Sequence, residues 1–290
     1  MEVIALFGPT GVGKTAVAVA LADLLRARGE DPVAVSADSM QIYEGLEILT
    51  GVASPEEQAR LEHRLVAYWP VTRPGSAGSY AWAAHREIDE LLAEGRRPIV
   101  VGGTGLYLRA ALADLDLRPQ ADTENYDGRP TGELLAELAA RAPHLAARID
   151  PEDPRKLARS LALLDKGIEY PPLSDDLWSV DMRHPTVLVA LTMEREALNA
   201  AIDARVDAMV AAGAAEEVRR AEAAGASPTA RQALGFRQLL HGDVDAMKQD
   251  TRRYAKRQMT WLRKLQGAHT IDVTGRAAED VAAEIGSLLG

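Results

Sequence analysis

A glycine-rich octapeptide near the start of the chain has the spacing of a phosphate-binding loop. Residues 8–15 read GPTGVGKT and directly follow the apolar run 3–7, so every fixed position of the pattern G-x-x-x-x-G-K-[ST] is present. Glycines let the backbone curl until successive N–H groups point at an anion, and the following helix adds its positive dipole end. We therefore expect phosphate binding by the whole loop, which consists of Gly8, Pro9, Thr10, Gly11, Val12, Gly13, Lys14 and Thr15.

Two side chains of this loop suit phosphate chemistry. Lys14 supplies a mobile positive charge, and Thr15 offers its hydroxyl to Mg²⁺, the cofactor that we expect here. The pattern is typical of nucleotide-binding and ATP-binding proteins, but alone it identifies neither the phosphate compound nor the reaction. A glycine-rich turn between a strand and a helix, with no ligand, is the alternative interpretation.

Two further polar segments follow predicted strands and could reach a bound phosphate. Residues 38–41 follow one strand, and residues 102–105 follow the next. The carboxyl ends of parallel strands share one edge of a sheet, where ligands bind. A carboxylate at this edge could serve as the base for a substrate nucleophile, so Asp38 is a catalytic candidate and Thr104 a candidate donor. Alternatively, these side chains only cap the helices that follow.

Strand and helix patterns alternate over the first part of the chain. We predict strands at 3–7, 32–37 and 98–101, with helices at 15–28 and 80–94. This alternation favours an α/β fold, in which a P-loop NTPase-like parallel sheet is flanked by helices. No acidic residue follows a strand in the manner of a Walker B motif, which argues against an ATPase motor.

The pattern changes after residue 117. We expect a helical insert at 118–183, between core segments 1–117 and 184–290 that end in a helical region. In the insert, a polar loop (118–131) precedes short helices broken at prolines (132–165) and a weakly structured stretch (167–178). After it we predict a strand at 186–191, helices at 194–211, 214–224, 229–240 and 244–265, and a final helix beyond Gly275.

Composition places the chain among globular proteins and excludes several kinds of site. The 290 residues are 47% hydrophobic and include no cysteine, which removes disulfides, thiol catalysis and Cys-ligated zinc. The six histidines show no ligand spacing. A strand at the very start leaves no room for a signal peptide, and no apolar run is long enough for a membrane span. We therefore expect a cytoplasmic protein.

The net charge of −10 argues at first against a nucleic-acid partner, but the charge is segregated. Residues 251–264 contain six cations and no acid, and on a helix the cations fall on one side. Tyr254, Gln258, Trp261 and Leu262 face the other way. The segment predicts either a basic stripe for a phosphate backbone or an ordinary solvated helix face. The six cations are Arg252, Arg253, Lys256, Arg257, Arg263 and Lys264.

Taken in order along the chain, these motifs match one known family. The chain resembles the tRNA dimethylallyltransferases, which modify an adenosine next to the anticodon, and the similarity covers nearly its whole length. The most specific matches are SADSMQIYEGLEILTG at 36–51, above all its SADSMQIY part, and YAKRQMTWLRK at 254–264, above all its AKRQMTWLR part. The others are GPTGVGKT at 8–15, VGGTGLYL at 101–108, DPRKLARSLAL at 153–163, AIDARVDAMV at 201–210 and RQALGF at 231–236.

The resemblance implies a reaction and a role for each catalytic candidate. A dimethylallyl group would pass from dimethylallyl diphosphate to N6 of adenosine 37, and diphosphate would be released. Asp38 would accept the N6 proton, and Thr104 would help to position the reacting groups. Lys14, Thr15 with Mg²⁺, and Arg205 would stabilise the departing diphosphate. Arg205 enters only through its match to the family.

The resemblance also implies that the partner is the anticodon stem-loop of a tRNA, whose target adenine leaves its stack. The helical insert would grip the stem, and we expect the protein to act as a monomer. Two features depart from the family: Glu62-His63-Arg64 replaces a frequent histidine pair, and the insert around 118–150 is short. The implied RNA contacts are Asp38, Ser39, Met40, Gln41, Thr104, Arg231, Gln232, Ala233, Leu234, Gly235, Phe236, Arg253, Lys256 and Arg257.

Three alternatives stay open at the level of the sequence. A small-molecule kinase shares the loop and Asp38, but it does not explain the 231–236 segment or the basic helix. Prenylation of free adenine nucleotides needs no stem-binding insert. A protein that binds nucleotide and RNA without chemistry would not need Lys14, Thr15 and Asp38 together.

Overall fold

The computed structural model of the protein describes residues 1–115, 117, 121–168 and 181–289. The chain divides into two compact units, one of Met1–Asp114 with Val180–Gly290 and the other of Leu115–Ser179. Both boundaries lie a few residues before the expected ones. Most of the stretch predicted to be weakly structured, 167–178, lies outside the described residues.

The larger unit is built on a parallel sheet, which has six strands in the part of the chain that the structure describes. They are β1 (Val3–Phe7), β2 (Pro32–Ser36), β3 (His63–Arg64), β4 (Arg97–Gly102), β5 (Thr186–Thr192) and β6 (His269–Asp272). The order across the sheet is β3-β2-β4-β1-β5-β6, and all neighbours are parallel. The predicted α/β fold is confirmed. The loops after β1, β2 and β4 therefore open at one edge of the sheet.

Thirteen α-helices are present in the described ranges, and none of them is long and apolar enough to span a lipid bilayer. Single turns of 3-10 helix lie at Glu124–Tyr126 and Ala230–Gln232. The α-helices are α1 (Lys14–Ala27), α2 (Glu47–Thr50), α3 (Pro55–Arg60), α4 (Ala77–Ala93), α5 (Gly105–Leu112), α6 (Thr131–Arg141), α7 (Pro143–Ala146), α8 (Pro154–Asp165), α9 (Arg195–Ala211), α10 (Ala214–Ala223), α11 (Phe236–Leu240), α12 (Val244–Leu262) and α13 (Ala278–Leu288).

Helices cover both faces of the sheet. On one face, Leu6 of β1 belongs to a buried cluster with Leu21 of α1 and Ile285 of α13. Phe7 points to the opposite face, because side chains alternate along a strand, and it is equally buried. Tyr80 of α4 lies at the end of β2, where its hydroxyl donates to the last carbonyl of that strand at 2.9 Å. The sheet is thus held rigidly at the edge where its loops emerge.

The smaller unit has a hydrophobic core of its own. Pro143 and Pro154 begin α7 and α8, as the predicted breaks require, because proline is tolerated at the first helical position. Tyr126 donates to Asp165 at 2.7 Å, and Asp165 also pairs with Arg141. The core leucines of α6 and α8 are Leu134, Leu138, Leu157 and Leu161.

Several sequence predictions about elements were wrong. The helix predicted at 229–240 is interrupted, because Gly235 has φ of +90° and α11 begins only after it. The strand β6 was missed because only Ile271 among its four residues is buried, so no alternation marks it. The helix α4 begins three residues earlier than predicted, where Ser76 and Ser79 form a capping box.

Candidate active site

The phosphate loop leaves the first turn of α1 open to an anion. Gly13, just before the helix, has φ of +90°, and no side chain caps the free N–H groups that follow it. Unpaired N–H groups at a helix N-terminus form a ready anion site. Val12 is buried and anchors the loop against the core. The geometry therefore matches the predicted phosphate cradle.

A cavity of about 1050 Å³ lies at this loop. It is walled by the loop, by the residues after β2, by the segment 47–57, and by parts of α9 and α12. The predicted site residues on its wall are Thr10, Gly11, Gly13, Lys14, Thr15, Asp38, Ser39, Met40, Gln41, Arg205, Gln232, Leu234 and Arg257. Those that do not line it are Gly8, Pro9, Val12, Thr104, Arg231, Ala233, Gly235, Phe236, Arg253 and Lys256.

Lys14 is held at the loop by backbone carbonyls. Its Nζ donates to the carbonyl oxygens of Gly8 and Pro9, each at 2.9 Å. Burial and the nearby Arg205 lower the pKa of Lys14 to about 7, while the charge of Asp38 opposes this shift. A dianionic ligand would stabilise the ammonium form and raise this pKa again.

The pKa of Lys14 predicts a pH dependence of phosphate binding. The ammonium form predominates below pH 7 and is lost as the pH rises through 7. The wild type should bind pyrophosphate more tightly than Lys14→Met, and the ratio of the two Kd values should fall roughly tenfold between pH 6 and pH 8. Calorimetry without divalent metal measures both affinities, and their ratio cancels the titration of pyrophosphate itself. A ratio independent of pH would contradict the expectation.

Asp38 is fixed directly after β2. Its Oδ1 accepts a hydrogen bond from the backbone N–H of Met40 at 2.8 Å. The alternative that Asp38 only caps the next helix fails, because the next α-helix, α2, begins at Glu47. Its negative charge opposes the lowering of the pKa values of Lys14 and Arg205, and all three side chains line the same cavity. A proton acceptor thus stands beside the anion site.

Arg205 reaches the cavity from α9. Its Nη2 donates to the carbonyl of Thr50 at 3.4 Å, and burial lowers its pKa. The turn that includes Thr50 is held by Gln41, whose Nε2 donates to the carbonyl of Gly51 at 2.9 Å and whose Oε1 accepts from Ser36. The side-chain amide of Gln41, expected to contact RNA, therefore positions the turn beside Arg205.

Two residues that the sequence did not single out, Glu217 and Gly51, also shape the segment beside Arg205. Glu217 of α10 is 3% exposed, and its carboxylate accepts from the backbone N–H groups of Ile48 and Leu49. It thereby pins the first turn of α2 to the protein. Gly51 has φ of +64°, and a Cβ there would overlap the guanidinium of Arg205. The only sequence signal for Gly51 is its place at the end of the matched segment 36–51.

Gly51→Ala should weaken pyrophosphate binding about tenfold or more, because the new methyl group displaces the Arg205 guanidinium. The matched control is Gly45→Ala. Gly45 also has positive φ, at +79°, but a Cβ there meets nothing within 4 Å. Calorimetric Kd values and thermal unfolding should show similar strain in both variants and a binding defect in the first alone. Equal Kd values for the two variants would refute this role of Gly51.

Thr104 lies next to the cavity rather than on its wall. Its hydroxyl lies 3.1 Å from the hydroxyl of Tyr254, and it makes no side-chain capping bond to α5. Tyr254 lines the cavity, and burial raises its pKa. The interpretation of Thr104 as a side-chain cap is therefore wrong, and its hydroxyl is linked to the cavity through Tyr254.

The segment 231–236 divides between the cavity and the core. Gln232 and Leu234 line the cavity. Phe236 is fully buried, and Ala233 and Gly235 are buried as well. These three residues are therefore not accessible for the direct RNA contact that the resemblance implies. Arg231 is paired with Glu222 at 2.8 Å. Gly235, with φ of +90°, separates the 3-10 turn at Ala230–Gln232 from α11.

The basic stripe of α12 faces outward as predicted, with one exception. Arg253, Lys256 and Arg257 are exposed, whereas Arg252 is half-buried and paired with Asp203. The opposite face holds Gln258 and Leu262, both buried, and the aromatic Tyr254. That face forms part of the cavity wall. One helix therefore presents cations outward and site residues inward.

The residues present suit a magnesium ion that arrives with a phosphate substrate. The Thr15 hydroxyl lies on the cavity wall, and a hydroxyl oxygen is a suitable hard ligand. In the described part of the chain, no cluster of three or more His, Asp or Glu residues could hold a metal by itself. Mg²⁺ commonly takes one or two protein oxygens and completes its shell with phosphate oxygens and water. The donor set therefore fits that mode of binding.

The fold and the site together define a class. A parallel α/β sheet carries a phosphate loop at the end of β1, and a cavity there places two cations and one carboxylate side by side. This is the arrangement of a P-loop NTPase-like enzyme that acts on a phosphate compound.

Family models and relatives assign the chain within that class. The IPP transferase model matches residues 41–265, and the isopentenyl transferase model matches residues 1–72. A tRNA dimethylallyltransferase of Thermobifida fusca is 38% identical over 285 residues, which is 92% of this chain and 88% of that protein. The chain therefore belongs to the IPP transferase family of prenyl-transferring enzymes, and the resemblance seen in the sequence is confirmed.

Solved structures agree with this assignment. The full-length tRNA isopentenylpyrophosphate transferase from Bacillus halodurans is 30% identical, with a TM-score of 0.72, and the match covers 99% of this chain and 95% of that one. A eukaryotic dimethylallyltransferase acting on tRNA has a TM-score of 0.77 at 22% identity, covering 99% of this chain and 77% of that one. The second shows the same fold.

Proposed function

We propose that the protein transfers a dimethylallyl group from dimethylallyl diphosphate to N6 of the adenosine next to the anticodon of a tRNA. The observation that carries this proposal is the shared cavity, in which Asp38 stands beside Lys14 and Arg205 at an open phosphate loop. The names of the relatives support this donor and this acceptor.

The phosphate loop would hold the diphosphate of the donor. Its charge grows as the allylic C–O bond breaks, because the bonding electron pair leaves with the diphosphate. The open N–H groups of α1, together with Lys14 and Arg205 on the cavity wall, would interact with that growing charge and would stabilise the transition state more than the ground state. Mg²⁺ held through Thr15 would supply further charge neutralisation on the diphosphate.

Asp38 would act on the acceptor. The N6 lone pair of adenine is delocalised into the ring, which makes N6 a poor nucleophile. As N6 forms its bond to the allylic carbon, the Asp38 carboxylate takes one N6 proton, so charge does not accumulate on nitrogen. The hydrogen bond from the Met40 N–H keeps this carboxylate oriented.

The RNA would reach the site by extrusion of the target base. A cavity of about 1050 Å³ has room for a prenyl diphosphate together with a flipped adenine. Met40, Gln232 and Leu234 line it and would contact the base or its neighbours. The exposed cations Arg253, Lys256 and Arg257 would meet the phosphate backbone, and the unit Leu115–Ser179 would grip the stem.

We also propose that the protein works as a monomer in the cytoplasm. The described cavity wall comes from a single chain, so no second copy is needed to build the site.

The test compares two donor and acceptor pairs. The protein is incubated with dimethylallyl diphosphate and an anticodon stem-loop, and in parallel with ATP and small hydroxylated acceptors. Nucleoside mass spectrometry should show a prenylated adenosine in the first mixture. ADP formation in the second mixture, without prenylation in the first, would identify a kinase instead. Prenylation of free AMP at a rate equal to that of the stem-loop would identify a nucleotide prenyltransferase.

A further inference from the structure

A buried glutamine joins three parts of the active site that are distant in sequence. Gln258 of α12 is 4% exposed. Its Oε1 accepts a hydrogen bond from the backbone N–H of Thr10, in the phosphate loop, at 2.9 Å. Its Nε2 donates to the carbonyl of Gly103, in the loop after β4, at 2.7 Å. The two bonds span sequence separations of 248 and 155 residues.

The side-chain amide of Gln258 satisfies both partners with one group. The Thr10 N–H is a donor and the Gly103 carbonyl is an acceptor, so the bridging group must carry an acceptor and a donor together. An apolar side chain at position 258 would leave two backbone groups unpaired in a buried place. A carboxylate would set an acceptor against the Gly103 carbonyl. The Gln258 amide also packs tightly against Gly103, because a Cβ at position 103 would overlap it.

The bridge lies beside Lys14. A Cβ on Gly103 would stand 3.4 Å from the Lys14 Nζ. Lys14 holds the carbonyls of Gly8 and Pro9, and Gln258 holds the next N–H of the same loop, that of Thr10. When Lys14 turns to a phosphate oxygen it releases those carbonyls, and the bond to Gln258 then keeps this end of the loop in place.

We propose that Gln258 is a positioning residue that holds the phosphate loop in its diphosphate-binding shape. It acts through the Thr10 N–H and the Gly103 carbonyl rather than by touching the substrate. This inference rests on the proposed function for its substrate, the prenyl diphosphate. The bridge itself does not depend on that function, because it is formed only by groups of the protein.

The test uses Gln258→Met, which keeps the length of the side chain and removes both hydrogen bonds. We expect the KM for dimethylallyl diphosphate and the Kd for pyrophosphate to rise about tenfold, with the Kd for the anticodon stem-loop unchanged within twofold. Hydrogen exchange in the peptide containing Thr10 should become faster. The matched control is Gln249→Met on the same helix, where the side chain is exposed. It should resemble the wild type in every measurement.

A second variant protects the test against simple unfolding. Gly103→Ala forces the Gln258 amide aside without changing that residue, while its Cβ also comes to 3.0 Å from the Gly8 carbonyl oxygen, and it should lower pyrophosphate affinity in the same way while leaving stem-loop affinity unchanged. If pyrophosphate binding is unchanged in both variants, or if stem-loop binding weakens equally, the positioning role is wrong. A wild type that binds pyrophosphate but does not prenylate the stem-loop would instead refute the proposed function.

Discussion

Asp38→Asn should lower kcat for prenyl transfer about 10²–10⁴-fold, the usual effect of removing a positioned base. Asparagine keeps the side-chain oxygen that accepts the Met40 N–H, so the turn after β2 should survive. It cannot take the proton that N6 loses on alkylation. The measurement is single-turnover transfer from dimethylallyl diphosphate to an anticodon stem-loop, because this isolates the chemical step from product release.

Binding measurements separate this role from damage to the anion site. Asp38 is the negative group beside Lys14 and Arg205, so its neutralisation should leave pyrophosphate affinity equal or higher. Glu44→Gln, the loss of a carboxylate at an exposed position outside the cavity wall, is the control for a nearby change of charge and should retain most of the activity. Near-normal single-turnover rates in Asp38→Asn would remove Asp38 from the base role.

Arg205→Met should reduce kcat/KM for dimethylallyl diphosphate about 10²–10³-fold, comparable with the loss of one donor that stabilises transition-state charge. The guanidinium lies on the cavity wall, where its Nη2 donates to the Thr50 carbonyl in the turn before Gly51. Arg205→Lys should recover part of the loss, since it restores charge but not the two-pronged geometry. Steady-state kinetics with varied dimethylallyl diphosphate measures the effect.

The control for this second expectation is Arg195→Met, the same change at an exposed position on the same helix. It should be nearly neutral. If Arg205→Met instead raised only the KM for the stem-loop, Arg205 would contact RNA rather than the diphosphate.

The sequence predicted the sheet and the phosphate loop because both depend on local patterns. Apolar runs marked β1, β2, β4 and β5, and the loop motif has a fixed spacing at one place in the chain. The strands β3 and β6 were missed because they are short, with two and four residues, and among these residues only Ile271 is buried. Their positions are set by pairing with β2 and β5, which no local pattern records.

Residues of the candidate site could be predicted only where they belong to a recognisable local motif. Lys14, Thr15 and Asp38 follow strands and were found from their neighbours in sequence. Arg205 needed the family resemblance, and Gly51 has a role only because a guanidinium from α9 packs against it. Phe236 was assigned to RNA contact only through the resemblance; the residue type alone left a core position equally open, and the structure places it in the core.

The side chains around the phosphate loop favour a phosphate ligand other than the one that the motif alone suggests. A loop of this kind is typical of ATP-binding proteins, in which the terminal phosphate is the group transferred. Here a carboxylate stands next to the cations, where it can serve a nitrogen nucleophile, and the family is one of prenyl-transferring enzymes. Under the proposed function, the phosphates in the loop are the leaving group.

The most direct test of that claim counts products in a reaction without ATP. Dimethylallyl diphosphate, Mg²⁺ and the anticodon stem-loop are mixed with the protein, and inorganic pyrophosphate is measured together with prenylated adenosine. We expect equal amounts of the two, with no pyrophosphate formed when the stem-loop is omitted. A requirement for ATP, or pyrophosphate released without prenylated adenosine, would contradict the assignment of the loop to the leaving group.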